Sequence, residues 1–100
     1  MVVKKGGRRE RFDRAKALSG LLKACEKRPV SVRSLEEAVG EVEQALVDAP
    51  DREITSEEIG RRLMQRLKLI DKVAYVRFAS VYLEFADVKE FTHEVAHLSQ

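Results

Sequence analysis

The sequence predicts a mainly α-helical domain, a bundle of four to five helices capped by a small sheet of two or three strands. Three observations point there. Apolar residues recur at the i, i+3, i+4, i+7 spacing of a helix face through four segments after residue 13. Capping residues, Pro29 and Pro50 punctuate those segments. Ahead of them, Val2-Val3-Lys4-Lys5 and Arg8 to Phe12 flank a Gly6-Gly7 pair, the pattern of a hairpin with a tight turn.

The totals agree with this class. One hundred residues make one domain, 1–100, able to bury a modest core. With 44% hydrophobic and 36% charged residues, the chain fits a compact, highly charged fold and not an intrinsically disordered one. No apolar run approaches the roughly 18 residues of a membrane span, and the charged N-terminus has no apolar stretch of a signal peptide behind it. Cys25 is the only cysteine, which excludes an internal disulfide and a four-thiolate zinc site, and a cytoplasmic chain is expected.

The elements follow in order. Val2, Val3 and Phe12 give the hairpin an apolar face to bury. Asp13 is a good N-cap for a first helix carrying Leu18, Leu21, Leu22 and Cys25 on one face, with Lys27-Arg28 in its last turn and Pro29 as its stop. Ser31 or Ser34 caps the second helix, with Ser34-x-x-Glu37 as a capping box and Leu35, Ala38, Val39, Val42 and Leu46 as its buried stripe. Asp48-Ala49-Pro50-Asp51 ends it. Arg52 to Thr55 is short enough to be a third strand. Thr55-x-x-Glu58 is a second capping box, opening a third helix that buries Ile59, Leu63, Leu67 and Ile70. Asp71 caps a fourth helix, Val73 to Phe85, apolar nearly all round and so expected to be the most buried. Asp87-x-x-Glu90 begins a last short helix.

Charge is uneven. Residues 1–16 hold seven basic side chains (Lys4, Lys5, Arg8, Arg9, Arg11, Arg14, Lys16) against Glu10 and Asp13, a balance of +5, so the remaining residues carry −3 of the net +2. Anions are expected at this end. The basic hairpin and Lys16, one turn into the first helix, could together hold a polyphosphate. A solvated hairpin or a sequence-independent grip on nucleic acid uses the same residue types, and spacing leaves all three open. No Walker loop and no dinucleotide glycine motif is present.

Other candidates are weaker. His93-Glu94-Val95-Ala96-His97 has the H-E-x-x-H spacing of a zinc-protease helix, but these are the only two histidines and no third ligand follows, so no metal site and no catalytic residue is assigned. Cys25 sits on an apolar stripe and reads as an inert buried thiol. Tyr75 and Tyr82, seven apart, share a helix face and serve either the core or a planar ligand. Arg77 snorkels, pairs with a carboxylate such as Asp71, or faces a phosphate.

Val2-Val3-Lys4-Lys5-Gly6-Gly7, Glu10-Arg11-Phe12-Asp13 and Lys16 resemble the opening motif of the ATP-cone, a regulatory domain of ribonucleotide reductases and of their bacterial transcriptional repressor. Lys23 to Val30 and the long string Val73-Ala74-Tyr75-Val76-Arg77-Phe78-Ala79-Ser80-Val81-Tyr82 are similar to the repressor branch. The resemblance implies ATP or dATP bound beneath the sheet cap, with Mg2+ admitted beside it. It places Lys4, Lys5 and Lys16 at the phosphates, Val2 beside the base, and Glu10 at the nucleoside. It also implies roles for Asp13 at the start of the first helix, Thr55 at the start of the third, and Tyr82 near the nucleotide. Gly6 stands where the family commonly has Asp or Asn.

The function implied is a non-enzymatic sensor, in which bound nucleotide shifts self-association of a homo-oligomer and thereby operator binding and ribonucleotide reductase expression. The family's repressor begins with a four-cysteine zinc ribbon that meets the operator. This chain looks like the regulatory half, with zinc and operator DNA both left to that ribbon and no membrane partner. The alternatives are the cone of a ribonucleotide reductase itself, a basic hairpin that binds nucleic acid without sequence preference, and a plain helical interaction module.

Overall fold

A computed structural model describes residues 1–82. The expected last helix, with His93 and His97, lies outside them. In chain order come β1 (Val2–Val3), β2 (Arg9–Glu10), α1 (Arg14–Ala24), α2 (Val32–Asp48), a 3-10 turn (Pro50–Arg52), β3 (Ile54–Thr55), α3 (Ser56–Ile70) and α4 (Lys72–Tyr82). The architecture is the predicted one, four helices with a small three-stranded sheet.

The sheet has the order β2-β1-β3. β1 pairs antiparallel with β2, Val2 opposite Glu10 and Val3 opposite Arg9, and parallel with β3, Val2 opposite Ile54. The turn closes through the Gly7 N–H on the Lys4 carbonyl, 3.0 Å, and the Lys4 N–H on the Arg8 carbonyl, 2.7 Å. Gly6 and Gly7 have φ of 87° and 85°, a region that costs an L side chain dearly and glycine little. Gly6 is the third residue of the turn, where a positive φ selects glycine first and asparagine next. The departure at Gly6 therefore preserves the backbone shape.

Each helix is capped by a side chain legible in sequence. The oxygens of Asp13, Ser31, Thr55 and Asp71 accept the N–H groups of Lys16, Ser34, Glu58 and Ala74, at 3.0 to 3.2 Å. Ser31, not Ser34, caps α2, and Glu37 pairs with Arg33 at 3.5 Å instead of reaching back. The Thr55 box is half formed, because Glu58 turns its carboxylate to Arg61 and Arg62.

Two expectations are corrected. α1 stops at Ala24, well short of Pro29, with Lys27 at φ 60° in the turn that follows. Tertiary contacts end it. Arg77 of α4 donates to the carbonyls of Ala24 and Glu26, at 3.2 and 2.8 Å, and Arg28 is drawn off to Asp71 at 3.0 Å. A guanidinium on the last carbonyls satisfies orphan acceptors and meets the negative end of the helix dipole. Leu22 is correspondingly exposed, and Ala24 takes the inward place beside Leu21 and Cys25.

The second correction concerns α4. It buries Ala74, Tyr75, Phe78 and Ala79 but leaves Val73 41% and Val81 71% exposed, so among the described residues it is packed on one side. The α2 stripe is buried as read, and α3 buries Ile59, Leu63, Met64 and Leu67, with Ile70 only half buried. Among the described residues the core joins all four helices to Val2 of the sheet.

Asp71 ties the two ends of this packing together. It caps α4 and holds Arg28 with its side chain only 7% exposed. The Ala74 N–H bond first, and then the Arg28 guanidinium, hold its carboxyl below its ordinary value of 3.8, against the opposing effect of burial. A depressed folded value means stability that is complete above the unfolded value and is lost as pH falls through the folded one. Asp71→Ala is expected to cost about 1–2 kcal/mol at neutral pH. In urea unfolding series, the gap to the native chain should narrow below about pH 4.

Candidate functional site

The hairpin arches over the start of α1 and leaves a cleft of about 220 Å³ against α3. Its walls are Val2 and Lys4 of the first hairpin arm, Glu10, Arg11 and Phe12 of the second, Asp13, Lys16 and Ala17 of the α1 start, and Ser56, Ile59 and Leu63 of α3. The lining separates by polarity. Val2, Ile59 and Leu63 are 6%, 6% and 1% exposed and form an apolar floor, while Arg11, Asp13 and Lys16 stand exposed at the rim.

Local sequence explains the arrangement. Strand alternation sends Val2 to the core and leaves Val3 half buried on the other face. Asp13 is committed as the N-cap through its Oδ1, which fixes the chain's entry and sets Lys16 one turn in, on the cleft side. Lys4 approaches Glu10 at 3.9 Å, and Arg8 reaches the same carboxylate at 3.1 Å from outside. These groups are partly or well exposed, so the pairing orients more than it stabilises.

Beside the cleft, Arg9 bonds Glu53 at 2.6 Å. That contact raises the arginine further and lowers the glutamate below its ordinary range. Arg14 is joined to Glu43 of α2.

Of the residues singled out from sequence, Val2, Lys4, Glu10, Asp13 and Lys16 therefore share one cleft. Lys5 stands exposed on the hairpin turn, outside the lining. Thr55 gives its hydroxyl to the Glu58 N–H and borders a second, wider cleft of about 710 Å³ with Glu41, Asp48 and Glu53, while its neighbour Ser56 lines the first. Tyr82 is the last residue of α4, and the placement of its side chain lies outside the description. Tyr75 is 7% exposed in the core, with the Lys68 ammonium 5.9 Å from its ring centre. Arg77 serves the end of α1 and not the cleft.

The apolar face of the hairpin marks Phe12, and helix periodicity marks Ile59 and Leu63, as core without showing that they line a cleft. Arg11 and Ser56 were not singled out, since nothing local distinguishes Arg11 from the arginines around it. Cys25 is buried, and burial followed by the Asp71 charge pushes its thiol upward, which agrees with an inert group. Among the described residues, no three metal-ligating side chains converge, and no helix is long and apolar enough to cross a membrane.

The chemistry available is that of an anion site with an apolar side. Ammonium groups offer point charges and a helix N-terminus offers backbone donors. A glutamate at the wall accepts from amino or hydroxyl groups, and the floor takes a planar apolar face.

The chain is 61% identical over 98 residues to the transcriptional repressor NrdR of Koribacter versatilis, covering 98% of this chain and 60% of that protein. It is 60% identical to the NrdR of Solibacter usitatus, covering 98% and 64%, and 51% identical to that of Thermoanaerobacter pseudethanolicus, covering 98% and 62%. The chain thus spans about three-fifths of the length of these relatives. Residues 1–88 match the ATP cone domain, and with that match over the hairpin, the cleft and the whole described bundle, this chain belongs to the ATP-cone family.

Proposed function

We propose that residues 1–100 are a regulatory nucleotide-binding domain that takes ATP or dATP in the cleft under the hairpin. The observation that carries this reading is the convergence of Lys4 and Lys16, from two separate elements, on one cleft that is also lined by buried apolar side chains. A nucleic-acid backbone needs the cations but not the floor. A nucleoside triphosphate needs both.

In this reading Lys4 and Lys16 neutralise the phosphates, with Lys5 adding to the field from the turn. Val2 meets the base, Glu10 accepts from the nucleoside, Asp13 fixes the start of α1 and with it the place of Lys16, and Thr55 fixes the start of α3. By the family resemblance Tyr82 is expected near the nucleotide. Magnesium would come with the phosphates, with Glu10 or Asp13 beside it. No catalytic step belongs to the domain.

The names of the relatives extend the proposal to the whole protein, a cytoplasmic transcriptional repressor. By the family resemblance its targets are ribonucleotide reductase genes. Nucleotide would bias a homo-oligomer between assemblies, limited by its differential affinity for them. Operator contact would fall to a zinc ribbon, which the single cysteine of this chain cannot build.

A thermal-shift screen tests the reading. ATP and dATP are expected to raise the unfolding midpoint, because a ligand bound only by the folded state stabilises it. A short duplex should not. A shift with duplex alone, vanishing with salt, would replace this reading by nonspecific nucleic-acid binding.

A further inference from the structure

Four arginines crowd the hairpin and the start of α1, and they are not equivalent. Arg8 lies 3.1 Å from Glu10, Arg9 bonds Glu53 at 2.6 Å, and Arg14 is joined to Glu43. Arg11 has no carboxylate partner among the described residues, and it is the one arginine that lines the cleft. Three guanidinium groups are thus spent on the fold's own carboxylates. The fourth stands at the same cleft as Lys4 and Lys16.

We infer that Arg11 is a specificity-determining residue that reads the terminal phosphate of the bound nucleotide, so that the domain distinguishes triphosphates from diphosphates. This rests on the nucleotide reading of the cleft. The polarity of the lining sets the direction. The base end belongs over the buried floor of Val2, Ile59 and Leu63, so the phosphates run outward to the exposed rim where Arg11 stands. A terminal phosphate offers three non-bridging oxygens. A planar guanidinium can grip two of them at once and leave the third to an ammonium; the terminal phosphate of a diphosphate offers the same oxygens, so the distinction is one of reach, the base over the floor carrying only a third phosphate out to the rim where Arg11 stands. Because Arg11 is exposed and holds no ion pair among the described residues, removing it breaks no ion pair among them.

Calorimetric titration of the native chain, Arg11→Ala, Arg11→Lys and Arg14→Ala with ATP and with ADP tests this. The native chain should prefer ATP. Arg11→Ala should lose about tenfold in ATP affinity, the size of one charge-assisted contact, with little change for ADP, so that the preference collapses. Arg11→Lys should recover only part of it, since an ammonium lacks the fork, and Arg14→Ala should match the native chain. An unfolding midpoint of Arg11→Ala without nucleotide equal to the native value would show that the fold is intact.

An unchanged ATP-to-ADP ratio in Arg11→Ala overturns the inference, as does an equal loss for both nucleotides, which would mark a general field effect. A native chain that binds neither nucleotide overturns the nucleotide reading itself. That is a different result from native binding that is indifferent to Arg11.

Discussion

Replacing Lys4 and Lys16 together by alanine is expected to weaken ATP binding at least about a hundredfold, while the unfolding midpoint without ligand stays near that of the native chain. Each ammonium lost from a phosphate removes a charge-assisted contact of about 1.5–3 kcal/mol, and two such losses exceed two decades in affinity. The fold has little to lose. The 3.9 Å approach of Lys4 to Glu10 is partly exposed and worth little. Lys16 enters the Asp13 cap through its backbone N–H, which alanine keeps. Calorimetry and thermal unfolding on the same preparation separate the two effects. An unchanged ATP affinity would remove both lysines from the site, and a large fall in the midpoint would assign them a structural role.

Leu63→Ala is expected to behave in the opposite way, with its main effect on the fold. Leu63 is 1% exposed, sits among the side chains joining α3 to the rest of the core, and also floors the cleft. Truncating a buried leucine removes its transfer energy and leaves a cavity, a cost of about 2–5 kcal/mol. Against the 5–15 kcal/mol typical of whole domains, that is a severe loss. Leu67→Ala, equally buried but away from the cleft, should cost about as much and serves as the control. The two should differ with ligand present. Saturating ATP restores about 2.7 kcal/mol at a hundred times Kd, and Leu67→Ala should gain that in full. Leu63→Ala should gain less, because its floor is damaged. Equal rescue of both variants would place the base away from Leu63.

Much of this architecture can be read locally. The N-caps of the four described helices are side chains that accept an N–H three residues on; Asp13, Thr55 and Asp71 are recognisable without knowing the fold, and Ser31 is one of two serines that the sequence offers. The stripe of α2 is legible for the same reason, since Leu35, Ala38, Val39, Val42 and Leu46 all face one packed side. The site was half legible. Lys4, Glu10, Asp13 and Lys16 stand out as a basic and acidic set at one end, but Arg11 is indistinguishable by type from Arg8, Arg9 and Arg14.

The sequence by itself determined the class of the fold, the hairpin with its glycine turn, the start of each described helix and the end of the chain where basic side chains gather. Those are properties of neighbours along the chain, set by dihedral preference, side-chain capping and periodicity, which act over a few residues. Only the tertiary structure decided where α1 stops, because the groups that stop it, Arg77 and Asp71, come from α4 and its cap some 50 positions on. It also decided which arginine at the cleft has no carboxylate partner among the described residues. An ion pair such as Arg9 with Glu53, or Arg14 with Glu43, is a meeting of distant segments, and no local pattern records which cations such meetings leave unmatched.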